Sequence, residues 1–266
     1  MHKTILITGG SSGVGAAAAR ALREQGHTVA ITGRSDETTR LAKEIGADAF
    51  LADFARLRDV RELAAQVLEK YERIDVLANN AGAVIGTRQL TADGHEKTFQ
   101  VNHLGGFLLT LLLRERLEHS GGIVINTASG AHHMGHLDLS DLENAQNYKP
   151  WRAYGTAKLM NILHAAEINR RFRGVRAASF HPGVVATGFG REGASATRYF
   201  YRSIIGKLFM LSPEKGADTL VWLATTPEWT PGYYVKRKLT RTSTQGQSVE
   251  LARELWDRSE SAVANA

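Results

Sequence analysis

The sequence predicts an α/β protein in which one mostly parallel sheet is covered by helices on both faces. Three observations point there. Short apolar runs rich in β-branched residues alternate with longer helical patterns from end to end. Such alternation marks βαβ units, whose right-handed crossovers place helices on both sides of a parallel sheet. A Gly-rich turn, Thr8-Gly9-Gly10-Ser11-Ser12-Gly13-Val14-Gly15, joins the first run to the first helix. The residues with the most chemistry directly follow apolar runs, and ligands of such sheets bind outside the carboxyl ends of the strands.

Seven runs read as strands, at residues 4–8, 28–32, 47–51, 76–79, 123–127, 175–180 and 233–235. Helical patterns cover 14–25, 58–71, 98–117, 153–172 and 213–224, which makes the sheet doubly wound and seven-stranded. With 43% hydrophobic residues, 266 residues are ample for one large core, and no shift in composition or repeat divides the chain. A single domain over 1–266 is expected, with only a few polar residues left over at the C-terminus. The absence of cysteine excludes disulfides, a thiol nucleophile and thiolate metal sites, and suits a reducing, cytoplasmic setting.

Met1-His2-Lys3 runs straight into a strand, without the pattern of an export signal. The most apolar helix, residues 106–113, stops at Arg114-Glu115-Arg116, too short to cross a bilayer, so no stable membrane anchor is expected. The net charge of +6 is scattered apart from Lys236-Arg237-Lys238 with Arg241. No nucleic-acid motif accompanies it, so no nucleic-acid partner is expected. A positive balance suits an anionic ligand such as a dinucleotide phosphate.

Gly9, Gly13 and Gly15 follow the first strand and open the first helix. Glycine permits the tight turn and close backbone approach to a pyrophosphate, whose charge the helix N-terminus favours. The spacing is a variant of the usual dinucleotide fingerprint; a plain strand–helix turn is the other reading. At the end of the second strand an acid would bond the ribose 2′-hydroxyl of NAD, whereas an arginine accommodates the 2′-phosphate of NADP. Gly33 stands at that place and Arg34 follows, which favours NADP(H) over NAD(H), with Asp36 close behind and a merely solvated Arg34 as the plain alternative. Asp53, before Phe54, can accept from an adenine amino group or cap the next helix. In Asn79-Asn80-Ala81-Gly82, small residues let the backbone lie near a nucleotide and the asparagines can tie strands together.

Tyr154 and Lys158 lie four apart in a helical stretch and share one face. A free phenol titrates near pH ~10, and a neighbouring cation lowers that value toward a useful general acid. Tyr234 and Lys238 match the spacing, but in a strand-like run such residues stand more than about 10 Å apart. Ser129 ends the fifth strand, where its hydroxyl can bond a substrate carbonyl; a serine nucleophile is the rival, without the Gly-x-Ser-x-Gly elbow. Asn102, an amide amid apolar helical neighbours, either holds a water near Lys158 or distorts the helix. His181-Pro182-Gly183 leads past Val185 to Thr187, placed to meet a nicotinamide carboxamide. His132, His133 and His136 tempt a metal reading, but no carboxylate pattern completes a site, so no metal is expected.

In this order the Gly9–Gly15 turn, Asp53, Asn79 to Gly82, Asn102, Ser129, Tyr154 with Lys158, and Pro182 to Thr187 make the chain resemble a short-chain dehydrogenase/reductase from end to end. Val101-Asn102-His103-Leu104-Gly105, Ala131-His132-His133-Met134-Gly135, Glu254-Leu255-Trp256 and the long gap from Ser129 to Tyr154 are similar to the retinol-dehydrogenase-like branch. Light-dependent protochlorophyllide reductases share the Asn102 segment but use a cysteine. The resemblance implies a Rossmann sheet and an NADP(H) shell of Gly9, Ser11, Ser12, Gly13, Val14, Gly15 and Arg34. It continues through Asp53, Phe54, Asn80, Ala81, Gly82, Tyr154, Lys158, Pro182, Gly183, Val185 and Thr187. It further implies Tyr154 as proton donor or acceptor, Ser129 orienting the reacting group, Lys158 lowering the phenol pKa and holding the ribose, and Asn102 anchoring a relay water.

The expected function is therefore an oxidoreductase interconverting a carbonyl and an alcohol on a hydrophobic small molecule. A catalytically idle NADP(H)-sensing regulatory protein is the alternative, though it would be expected to have lost Tyr154, Lys158 or Ser129. A sugar-nucleotide epimerase would need a longer C-terminal domain. Residues 188–212 carry Phe189, Tyr199, Phe200, Tyr201, Ile204, Ile205, Leu208 and Phe209 and read as a lid over an apolar substrate, or else as a packed helix. The insert 135–150 is expected to wall the other side. A homodimer or homotetramer through 98–117 and 153–172 is implied by the resemblance alone.

Overall fold

Eight strands, not seven, form the sheet, in the order β3-β2-β1-β4-β5-β6-β7-β8. The computed structural model describes residues 1–185 and 211–264. Along the chain run β1 (Thr4–Thr8), α1 (Gly13–Glu24), β2 (Thr28–Gly33), α2 (Asp36–Ile45), β3 (Asp48–Leu51), α3 (Leu57–Lys70) and β4 (Val76–Asn79). Then come α4 (Lys97–Phe99), a π-turn (Gln100–Leu104), α5 (Gly105–Leu112), α6 (Arg114–Ser120), β5 (Ile123–Thr127), α7 (Pro150–Arg171) and β6 (Arg176–His181). The chain closes with α8 (Pro213–Thr225), β7 (Gly232–Val235), β8 (Lys238–Thr240) and α9 (Val249–Ala264). All pairings are parallel except β7 with β8.

Side chains alternate across each strand, so successive residues of β1 feed opposite cores while residues two apart share one. Leu6 belongs to a cluster with Leu63, Phe107, Leu163 and Trp256, from α3, α5, α7 and α9. Ile5 and Ile7 join the other, with Ala18, Leu22, Leu41 and Leu220 from α1, α2 and α8. The expected single domain with helices on both faces is thus one sheet between two apolar layers.

Three expectations change. The 98–117 stretch is not one helix. Asn102 Nδ2 donates to the Thr98 carbonyl at 3.0 Å, competing for the acceptor that the helical backbone would use, and the turn widens to π geometry around it. The 233–238 run is not one strand either. It reverses at Lys236 and Arg237, both at positive φ, and pairs Val235 with Lys238, so Tyr234 and Lys238 lie on adjacent strands. Tyr234 is tied instead to the Thr230 carbonyl at 2.6 Å, while Lys238 is exposed. The C-terminal residues are no loose end: α9 buries Ala252, Leu255, Trp256, Ser259 and Val263, one face at helical spacing.

The strand order reverses between β1 and β4, so the loops leaving these neighbours diverge and open a crevice between them. Among the described residues no helix is long and apolar enough to cross a membrane. Thr187, and residues 188–212 apart from Leu211 and Ser212, lie outside the described residues. The flanks of that segment meet: Leu211 N–H donates to the Val184 carbonyl at 2.7 Å.

Candidate active site

The crevice is a cavity of about 700 Å³ spanning the carboxyl ends of β1 to β6. At its first end the Gly-rich turn packs against the loop after β4. Gly9 sits at φ +63°, and a Cβ there would come within 2.8 Å of the Ala81 Cα, so the sequence needs glycine both for conformation and for this contact. Thr8 Oγ1 accepts from the N–H groups of Asn80 and Ala81, each at 2.9 Å. Asn80 Nδ2 donates to the Thr8 and Gly9 carbonyls, and its Oδ1 accepts from Thr127 Oγ1 at 3.2 Å. Asn79 reaches Thr110 and Asn126 at 2.9 and 3.0 Å, so both asparagines tie neighbouring segments together. Gly9, Ser11, Ser12, Gly13, Val14, Arg34, Asp53, Phe54, Asn80, Ala81 and Gly82 all line this end. Asp53 does not cap α3. Its carboxylate accepts from Ala55 N–H at 3.0 Å in a local turn and stays on the cavity wall.

The other end holds the proton chemistry. Pro150 opens α7, where its missing N–H costs nothing, and the helix carries Trp151, Tyr154 and Lys158 to the cavity in successive turns. Lys158 is 1% exposed, and its Nζ stands 5.4 Å from the centre of the Tyr154 ring. Burial alone pushes the ammonium down to about 7. Its acceptor is the Thr127 carbonyl, at 3.2 Å. A Cβ on Gly82 would meet Asn102 Oδ1 at 2.5 Å and Lys158 Nζ at 3.0 Å, so glycine there leaves space for the ammonium. Ser129 faces the cavity, its Oγ accepting from Ala131 N–H at 3.2 Å. Pro182, Gly183 and Val185 close the same side.

Two residues expected in the site stand behind it. Gly15 is buried in the first turn of α1, where a Cβ would strike the Gly9 carbonyl at 2.3 Å, so it shapes the cradle without lining it. Asn102 does not line the cavity: its side chain accepts from Ala83 N–H at 3.1 Å and donates to the Ala83 carbonyl at 2.9 Å, pinning the loop after β4. The insert 135–150 is not the expected wall. Leu137 is buried in the core, and Tyr148 donates to the Ile85 carbonyl at 2.9 Å, so that Ile85 reaches the cavity instead.

Sequence reasoning missed Trp151, whose ring meets Tyr154 edge-on at 6.0 Å, and with it Ile85, Lys97, Val101, Met134, His181 and Val184 on the cavity wall. Trp151 sits three residues before Tyr154, a helical spacing that could have found it. His181 directly follows β6, and its Nδ1 accepts from Gly130 N–H at 3.1 Å; burial lowers its pKa. His132 Nδ1 donates to the Ser129 carbonyl at 2.7 Å and its Nε2 accepts from Ser243 N–H at 3.3 Å, so this ring braces the Ser129 turn.

The arrangement suits a dinucleotide, with a cradle for phosphates at one end and a phenol, an ammonium and a hydroxyl at the other. The family model described as short chain dehydrogenase matches residues 3–197. The chain is 46% identical over 274 residues to a protein assigned as a daunorubicin C-13 ketoreductase from Streptomyces sp. (strain C5), covering 99% of this chain and 93% of that one. It is 35% identical over 272 residues to retinol dehydrogenase 13 of Homo sapiens, covering 96% and 82%. A crystal structure of an uncharacterized protein from Mycobacterium Paratuberculosis superposes with a TM-score of 0.79 at 29% identity, covering 98% and 93%. A match of this length, to relatives that span nearly the whole chain, means that the protein belongs to the short-chain dehydrogenase family, in its retinol-dehydrogenase-like branch, and is an oxidoreductase of the kind that binds a nicotinamide cofactor.

Proposed function

We propose that this oxidoreductase uses NADP(H) to interconvert a carbonyl and an alcohol on a bulky, apolar small molecule. The observation that carries the reading is the shared helical face of Tyr154 and Lys158, buried at the end of the cavity away from the Gly-rich cradle. When bound, the nicotinamide supplies the hydride transfer. The chain's own part is positioning and proton handling. Tyr154 gives its phenolic proton to the substrate oxygen in reduction and takes it back in oxidation. Lys158, as an ammonium, favours the phenolate that remains. Ser129 Oγ orients the same oxygen, and the Gly9 to Val14 turn with the N-terminus of α1 receives the pyrophosphate.

Arg34, on the cavity wall beside Ser11 and Gly33, supports recognition of a 2′-phosphate. The apolar character of the substrate is supported by Ile85, Val101, Met134, Trp151 and Val184 around the reacting end. The relatives' names, a ketoreductase and a retinol dehydrogenase, fit the same reaction class.

The test is NADPH oxidation against aldehydes, ketones and quinones graded in size and apolarity. Wild type should turn over the bulky apolar members, and Tyr154→Phe should lose about 10²-fold or more in kcat while cofactor affinity stays nearly intact. Retained turnover in Tyr154→Phe would remove the phenol as the acid. In the same assay Arg34→Asp should move the preference from NADPH toward NADH by about tenfold or more, the scale of one lost charge-assisted contact. An unchanged ratio would put 2′-phosphate recognition elsewhere.

A further inference from the structure

Behind the cavity lies a buried polar chain that the proposed chemistry does not yet use. Asn161 follows Lys158 by one turn on α7 and is 5% exposed. Its Nδ2 donates to two backbone carbonyls, Asn102 in the π-turn at 3.0 Å and Thr127 at the end of β5 at 3.1 Å. The Thr127 carbonyl is the one that also accepts from Lys158 Nζ. Because both amide hydrogens are engaged, Asn161 Oδ1 must face the other way, and it meets His103 Nδ1 at 3.4 Å. His103 therefore donates from Nδ1 and accepts at Nε2 from Ser259 Oγ of α9, at 3.0 Å. Phe99 stacks on the His103 ring at 5.8 Å, and burial holds the imidazole neutral, its pKa lowered to about 4. The hydrogen bonds thus run in one direction, from Ser259 through His103 and Asn161 to the two carbonyls.

We propose that Asn161 is a positioning residue for the Tyr154–Lys158 pair: it holds the Thr127 carbonyl where that oxygen receives the Lys158 ammonium, and His103 and Ser259 fix the orientation of its amide. The proposal rests on the reading of Tyr154 and Lys158 as the proton-handling pair. A carbonyl oxygen has two lone pairs, and Asn161 takes one in a fixed direction, leaving the other for Lys158. Among the described residues the ammonium has no carboxylate beside it, so this carbonyl is what favours its charged form against burial. The titratable groups nearby are Tyr154 on the same helix and His103 from the π-turn, with His181 and Lys97 elsewhere on the cavity wall.

Asn161→Leu keeps the branched shape and removes the donors. In the cofactor-free protein the Lys158 ammonium, followed by nitrogen NMR, should titrate about half a unit or more lower than in wild type. In the loaded enzyme kcat should fall about tenfold, the pH midpoint of alcohol oxidation should rise, and cofactor Kd should change by less than about threefold. Ser259→Ala, which cuts only the far end of the chain, should move both midpoints in the same directions by less. It also carries the test if Asn161→Leu does not fold. Wild-type midpoints in the folded variants, even with lowered melting temperatures, would overturn the proposal and leave Asn161 a structural residue. Tyr154→Phe alongside separates the two ideas: its retained turnover sinks the acid assignment, whereas the Lys158 titration reads the role of Asn161 by itself.

Discussion

One helix carries two buried charges and treats them in opposite ways. Toward its C-terminal end, α7 buries Glu167 at 2% exposure between Arg170 at 2.6 Å and Arg171 at 2.8 Å. About two and a half turns earlier it buries Lys158 with a backbone carbonyl as acceptor and, among the described residues, no carboxylate. A buried ion with well-placed counter-ions belongs to the architecture, holding the helix end against α9 through Arg171 and Asp257 at 3.0 Å. A buried ion without one is left under electrostatic stress, and such stress gathers where a ligand or a reaction uses it. On the proposed chemistry, the difference separates the part of α7 that supports from the part that handles the proton.

The largest expected effect comes from neutralising the unpaired charge. Lys158→Met should lower kcat about 10²-fold or more and yet stabilise the cofactor-free protein at neutral pH. The sign follows from linkage: with a folded pKa of about 7 against 10.5 for the free group, the unfolded chain holds more protons in that interval. Wild-type stability attributable to this group therefore rises with pH from about 7 to 10.5, and the gain from Lys158→Met shrinks to nothing over the same window. Melting curves at several pH values would check it, and destabilisation at pH 7 would break the contrast.

Glu167→Gln should do the reverse. It leaves two arginines without their carboxylate and should cost about 2 kcal/mol, less than for a fully dry pair because both arginines keep part of their surface in water. Urea titration would measure that, and kcat per folded molecule should not change. A smaller effect sharpens the picture of the core beside the helix. His103 and His164 are both held neutral by burial, well below their ordinary pKa. As pH falls from about 6.5 toward 4, the unfolded chain takes up these protons first, so stability should decline across that window. His164→Leu should flatten the decline, and an unchanged slope would put the acid sensitivity elsewhere.

Most of this was legible before any coordinates, for identifiable reasons. Seven strands fall within a residue of their expected bounds because most of them are buried on both faces and so read as near-continuous apolar runs. β8 was invisible because its three residues are all exposed and polar neighbours surround it. α2 was missed because only Thr38, Leu41 and Ala42 of its ten residues are buried, too weak a stripe to stand out. In the site, residues just after strands were readable by position alone, which covers Gly9, Asn80, Ser129 and Pro182. Trp151, Ile85 and Met134 come from segments without a strand end to announce them. Asn161 is harder still, since its proposed role depends on two carbonyls 34 and 59 positions away in sequence.

The short eighth strand has a consequence for how molecules of this protein meet. β7 is the last long strand on its side of the sheet, and its free hydrogen-bonding edge would invite a strand from another molecule. The hairpin at Lys236 and Arg237 folds β8 over that edge, offering in turn only three exposed residues beginning with Lys238. A newcomer strand would find little backbone to pair with, beside the exposed ammonium groups of Lys236 and Lys238. The hairpin acts as a hem on that side of the sheet, and because β7 runs parallel to β6 its turn lies at the carboxyl ends of the strands, the same end at which the cavity opens.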